Sequence, residues 1–172
     1  MRTNKPIVFT LIFSLLAIAF KLSIFYGGWQ TQKIGILSHI AILLAMLPFV
    51  AFLIIQIRKE QGGEIGGKEA FKEGLKFVVL SAVLISVFNY VFYEMVLGEY
   101  IRNYIAEKGP IAFKEVAARA NKAITDAEIK SQVELRIKDA TAFKDTTGKL
   151  FSMVMSGAFF TFLSAFVLKR KV

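Results

Sequence analysis

The chain has no cysteine, one histidine, three prolines and one tryptophan among its 172 residues. Without cysteine there is no disulfide, no thiolate nucleophile and no cysteine metal site. A single histidine leaves no zinc-ligand spacing and no Ser/His/Asp arrangement, so the expectation is a protein that is not an enzyme and uses no cofactor. Acids are scarce as well: 13 Asp and Glu stand against 22 Lys and Arg, for a net charge of +9. A basic excess can mark a nucleic-acid binder. Here the Lys and Arg residues crowd the ends of apolar runs, as charges facing lipid headgroups do. The expected partner is therefore the lipid bilayer and not nucleic acid.

Apolar residues are what the chain has most of. It is 55% hydrophobic with 17 Phe, and its mean hydropathy is +0.55. A soluble domain of this length needs more polar surface than these figures leave. Four runs are long enough to cross a bilayer, which takes about 20 mostly apolar residues. They are 7–26, interrupted only by Lys21, then 34–57, 77–97 and 150–168. The first run has a competing reading as a signal peptide, with Arg2 and Lys5 before an apolar core and Ala17-Ile18-Ala19 as the cleavage site. The apolar stretch continues past Lys21 to Tyr26, which favours a span. Pro48 lies inside the second run and predicts a kink that a neighbouring helix must cover.

Between the runs, 27–33 is a short turn with Trp29, and 58–76 is polar with two Gly pairs. A helix is predicted to start at Lys68 and lead into the third span, with Glu69 reaching Lys72 and Glu73 reaching Lys76. The segment 98–149 is the only sizeable polar stretch. In it Phe113, Val116, Ala120 and Ile124 recur at helical spacing, Gly109-Pro110 reads as a turn, and Thr125-x-x-Glu128 reads as a capping box that opens another helix. Ile129, Val133, Ile137 and Ala140 give that helix an apolar face. The alternation in VELRIK leaves a strand open as an alternative.

Two motifs bear on chemistry. Residues 62–68, GGEIGGK, fit the spacing of a phosphate-binding loop. Glu69 stands where a Ser or Thr would hold magnesium, however, and the loop follows a membrane run and not a strand, so the match is set aside. The second is a set of ionisable and polar residues inside the apolar runs. Ser86, Asn89, Tyr90, Tyr93 and Glu94 share an arc of roughly 140° on a helical wheel. Lys21, His39 and Glu94 each lie roughly 5 to 9 Å inside a span end on one side of the bilayer. Charges in lipid tend to pair or face a cavity. The candidate intramembrane cluster is thus Lys21, His39, Asn89, Tyr93 and Glu94. It reads as a proton or ligand site with Glu94 as acceptor, as a structural Lys21–Glu94 pair, or as a Lys21 that snorkels to the headgroups beside an interfacial Glu94. Asn89 is expected to bond across helices to Ser152 or Ser156, within the small, polar stripe Ser152, Ser156, Gly157 and Thr161.

With four spans placed, the sequence resembles the uncharacterised bacterial membrane proteins grouped as domain of unknown function 4199. The likeness lies in GGKEAFKEGLKFVVL leading into the third span, in FNYVFYEMV at its end, in TDAEIKSQVE, and in a last span that closes on Lys169-Arg170-Lys171. The resemblance implies a bacterial inner-membrane location and a four-span layout, and no activity.

The expected fold is an all-α membrane protein, a single integral domain over 1–172. It is a four-transmembrane-helix bundle with an extramembrane amphipathic helical segment, 98–149, between helices 3 and 4. Basic residues at Arg2, Lys5, 58–76 and the C-terminal tail place both termini in the cytoplasm. The long segment also carries ten basic residues, but eight acids balance them. The expected role is structural or interactive, through 98–149, with an envelope protein or a second copy as partner. The alternative is a small oligomeric transporter or channel subunit using Lys21, His39 and Glu94. No internal repeat supports that alternative.

Overall fold

The computed structural model describes residues 4–29 and 33–168, with backbone alone for 33–36. Arg2, the end of the 27–33 turn and the tail Lys169-Arg170-Lys171 lie outside the described residues. The described chain is helical and has no strand: α1 (Lys5–Tyr26), α2 (Lys33–Glu60), α3 (Gly67–Phe92), a π-helical turn (Tyr93–Leu97), α4 (Gly98–Arg119), α5 (Asp126–Asp139) and α6 (Ala142–Leu168). Four stretches are long and apolar enough to cross a membrane: α1, α2 from Leu37, the continuous run 67–119, and α6. The chain forms two compact units, residues 1–88 with 148–172 and residues 89–147.

The helix ends follow from a few residues. α1 starts behind Asn4 with Pro6 in its first turn, where a missing N–H costs nothing. It stops at Gly28, whose φ of +69° is the left-handed conformation glycine tolerates. There Gly28 N–H bonds to the Phe25 carbonyl and Trp29 N–H to the Ile24 carbonyl, the paired bonds of a Schellman cap. α2 ends the same way at Gly62 (φ +76°), with Gly62 N–H on Lys59 and Gly63 N–H on Arg58. The first Gly pair of the loop-like motif thus spends its N–H groups closing α2, and no cradle for phosphate forms there.

In the first unit the core lies along α2 and α3. Met46, Val50, Leu53, Ile54 and Ile57 are buried on α2, and Phe77, Val78, Ala82 and Ile85 on α3. Phe13 of α1 meets Phe49 at 5.0 Å and Phe77 of α3 at 5.6 Å between ring centroids. The Phe9–Phe52 pair and the Lys5–Glu60 ion pair at 3.1 Å continue the antiparallel match of α1 and α2 to their ends. α6 approaches through small residues, as expected of a small-residue stripe. A Cβ on Gly157 would collide with Val78 and lie 2.7 Å from Met46 Sδ; one on Gly74 would lie 2.6 Å from Thr161 Cγ2. Arg58 donates to the Gly63 carbonyl at 2.7 Å and to the Leu168 carbonyl at 3.3 Å, so one side chain ties the ends of α2 and α6 to the loop.

The polarity of this unit is inverted. Leu15, Leu16, Leu44, Phe52, Val87, Phe159, Phe162 and Phe166 are exposed, while Thr10, Ser14, Ser81, Ser86 and Thr161 are buried. Water would penalise such a surface; hydrocarbon does not. Because lipid is as apolar as leucine, close packing and interhelical hydrogen bonds hold such helices together. Thr10 Oγ1 donates to the Phe77 carbonyl at 3.4 Å in that role, and Thr161 returns its hydroxyl to Gly157 of its own helix at 2.8 Å.

In the second unit α4 and α5 form an antiparallel hairpin. The helix runs on from α3 through the π turn into α4. One expectation needs correction here: Gly109-Pro110 is not a turn, and both lie inside α4. Gly109 is there for packing, since a Cβ would lie 3.1 Å from Val133 Cγ2 of α5. The actual reversal is at Asn121, φ +50°, where Asn121 and Lys122 N–H bond back to Ala118 and Ala117. Asparagine is the residue after glycine most able to take that conformation. α4 buries Ala117 and leaves Val116 exposed. α5 opens with the expected capping box, Thr125 and Glu128 bonding each other's backbone N–H. VELRIK is helical and buries Val133. The charge pairs are local: Lys114–Asp126 at 3.1 Å and Asp139–Lys144 at 2.5 Å.

Candidate functional site

The five candidate residues fall in both units. Lys21 and His39 belong to the first; Asn89, Tyr93 and Glu94 belong to the second.

His39, half-buried on α2, bonds through Nε2 to Ser152 Oγ of α6 at 2.8 Å. The Ser152 hydroxyl also faces the Lys149 carbonyl at 2.9 Å and donates to it. A hydroxyl has one hydrogen. Ser152 therefore accepts from His39, and Nε2 carries the hydrogen. The neutral tautomer so defined and the imidazolium both hold a hydrogen at that atom, so the bond joins α2 to α6 in either charge state. Ser152 thus serves His39, a pairing the sequence did not suggest: it offered Ser152 or Ser156 to Asn89. A histidine near one end of α2 and a serine early in α6 carry no periodic signal that would have matched them. Lys21 is half-buried on α1, one turn beyond Ala17.

On α3 and the π turn, three of the five stripe residues are buried: Ser86, Asn89 and Tyr93, each 5% exposed. Tyr90 is 44% exposed, and Glu94 is exposed. Counting about 100° per residue, the buried three span about 60°, and Tyr90 and Glu94 lie to one side of them. A 140° arc was too wide to be buried whole. The π turn itself was missed. Its signature is the bond from Gly98 N–H to the Tyr93 carbonyl five residues back. A Cβ on Gly98 would stand 2.9 Å from that carbonyl oxygen and 3.0 Å from the Tyr93 ring. Glycine is required for the backbone to widen over a buried tyrosine. Single π turns are frequent at functional sites, and this one presents a buried phenol beside an exposed carboxylate.

Of the buried hydroxyls, Ser14, Ser81 and Ser86 make no hydrogen bond within the described residues. Among those residues no three His, Asp or Glu side chains come close enough to hold a metal ion. These residues offer hydrogen-bond donors and acceptors at helix contacts, among them one hydroxyl–imidazole bond in which the hydroxyl accepts.

A family described as "Protein of unknown function (DUF4199)" matches residues 7–170. The chain belongs to it. Neither a curated protein nor a solved structure matches the chain. The DUF4199 match takes in all four apolar stretches, the π turn and the α4–α5 hairpin. The segments that carried the resemblance now have places. GGKEAFKEGLKFVVL is the first part of α3, with Glu73 paired to Lys76 at 2.5 Å and Glu69 taking a bond from Gln61 at 2.8 Å. FNYVFYEMV ends in the π turn, and TDAEIKSQVE is the capped start of α5.

Proposed function

We propose that the chain is a non-enzymatic, multi-pass protein of a bacterial inner membrane that works through its α4–α5 hairpin. Both termini face the cytoplasm, and the hairpin faces the envelope side as a docking element for an envelope protein. The observation that carries this reading is that the hairpin is a built surface and not a linker. It is closed by the turn at Asn121 and the capping box at Thr125, and it buries Ala117, Ile129 and Val133. Even so, it leaves Ile111, Val116 and Leu135 exposed. Between α4 and α5 runs a groove of about 380 Å³, with Pro110, Ile129 and Val133 along it and Lys114, Lys130, Asp126 and Glu134 on its rim. Apolar residues within a charged rim are the usual make-up of a protein interface.

A photo-crosslinking residue placed at Val116 or Lys130 in intact cells tests the reading. One discrete adduct with an envelope protein is expected. Adducts only with a second copy would make the hairpin an oligomer contact. Solute or ion flux in proteoliposomes that is abolished by Glu94→Gln would replace the reading with transport.

A further inference from the structure

The outward half of the α1–α2 contact is not filled. Phe13, Leu16, Ala17 and Phe20 of α1 face Ala41, Ile42, Ala45 and Phe49 of α2 across a slot of about 280 Å³. Its shape follows from side-chain size. At the inner end the Phe13 and Phe49 rings meet and close it. Farther out, Ala17, Ala41 and Ala45 are too small to bridge the helices. The floor is buried Phe13, Ala17 and Ile42, while Leu16 and Phe20 stand exposed at the edge, so the slot opens sideways to the bilayer. Lys21 follows Ala17 by one turn and stands at the outer end.

We propose that this slot binds one acyl chain of an anionic glycerophospholipid, with Lys21 at the lipid phosphate. From Phe13 to Lys21 is about 12 Å along the helix, close to the roughly 15 Å of hydrocarbon in one leaflet. The slot is apolar along that length and ends in a cation, which is the order of groups along a lipid molecule.

The test uses the full-length protein in detergent, given equal amounts of phosphatidylglycerol and phosphatidylcholine with a photoreactive group on the acyl chain. After irradiation the adducts are mapped by peptide mass spectrometry. Adducts are expected on 13–20 and 41–49, with phosphatidylglycerol preferred about fivefold, as one lysine at an anionic headgroup supplies. Lys21→Gln should keep the adducts and remove the preference. Ala45→Phe should remove the adducts at an unchanged melting temperature; Ala41→Leu serves if the larger side chain prevents folding. The proposal is overturned if adducts are as dense on the exposed α6 face at Phe159, Phe162 and Phe166, or if Lys21→Gln leaves the preference intact. It is also overturned if the filled variants label as wild type does, or if they change the oligomeric state while keeping the lipid.

Discussion

Gly157 sets how near α6 comes to α2 and α3, because Val78 and Met46 occupy the space a side chain would need. In lipid that proximity is most of what holds the helices together. Gly157→Val is expected to destabilise the protein by about 1–3 kcal/mol, the cost of overpacking, read as a lower melting temperature in detergent. Gly157→Ser should fall between the two. Ser152 tests a different contact. Ser152→Ala removes the acceptor of His39 and is expected to lower stability by about 0.6 kcal/mol, an ordinary value for such a bond between membrane helices. Since Nε2 donates whichever charge the imidazole carries, Ser152→Ala should destabilise at every pH at which the protein stays folded; an unchanged melting temperature would show that the bond adds nothing. The small, polar character of Ser152, Gly157 and Thr161 was legible in the sequence. Their partners were not, because a helical wheel gives the face of one helix and says nothing of the residue that meets it.

At the scale of elements, the α4–α5 hairpin depends on its ends. Glu128 accepts from the Thr125 backbone N–H, and this bond first, then the bond from the Thr125 hydroxyl, holds its carboxyl below the usual range. The hydrogen bond from Lys144 and its charge do the same for Asp139. Both carboxyls are depressed in the folded hairpin. Their contribution is therefore complete above the ordinary carboxylate range and is lost as pH falls through the lowered values. Acidification should reduce hairpin helicity, measured by circular dichroism or by amide exchange in 126–139. Thr125→Ala should cost about 1 kcal/mol as a lost cap, and Glu128→Gln, which has no carboxyl to titrate, should reduce that acid sensitivity. An unchanged acid profile in Glu128→Gln would contradict the account. The capping box was readable because its spacing is local. The turn was assigned to Gly109-Pro110 on composition, and that failed for a physical reason: close approach to Val133 uses the same glycine that a turn would. The π turn was likewise hidden, since one glycine five residues after a tyrosine has no distinctive pattern.

At the scale of the whole molecule, the four apolar stretches were fully legible, because about 20 apolar residues in a row have few other uses. Their family follows from the match over 7–170. Sidedness rests on the placement of Lys and Arg. The absence of cysteine makes the decisive experiment clean, since any introduced thiol is the only one present. Lys130→Cys places it on the exposed side of α5, and Glu64→Cys places it in the loop before α3. Intact cells are treated with a membrane-impermeant thiol reagent, with and without prior permeabilisation. The account predicts that Cys at 130 is labelled in intact cells and that Cys at 64 is labelled only after the inner membrane is opened. Labelling of position 130 only after that membrane is opened would place the hairpin in the cytoplasm and contradict the account.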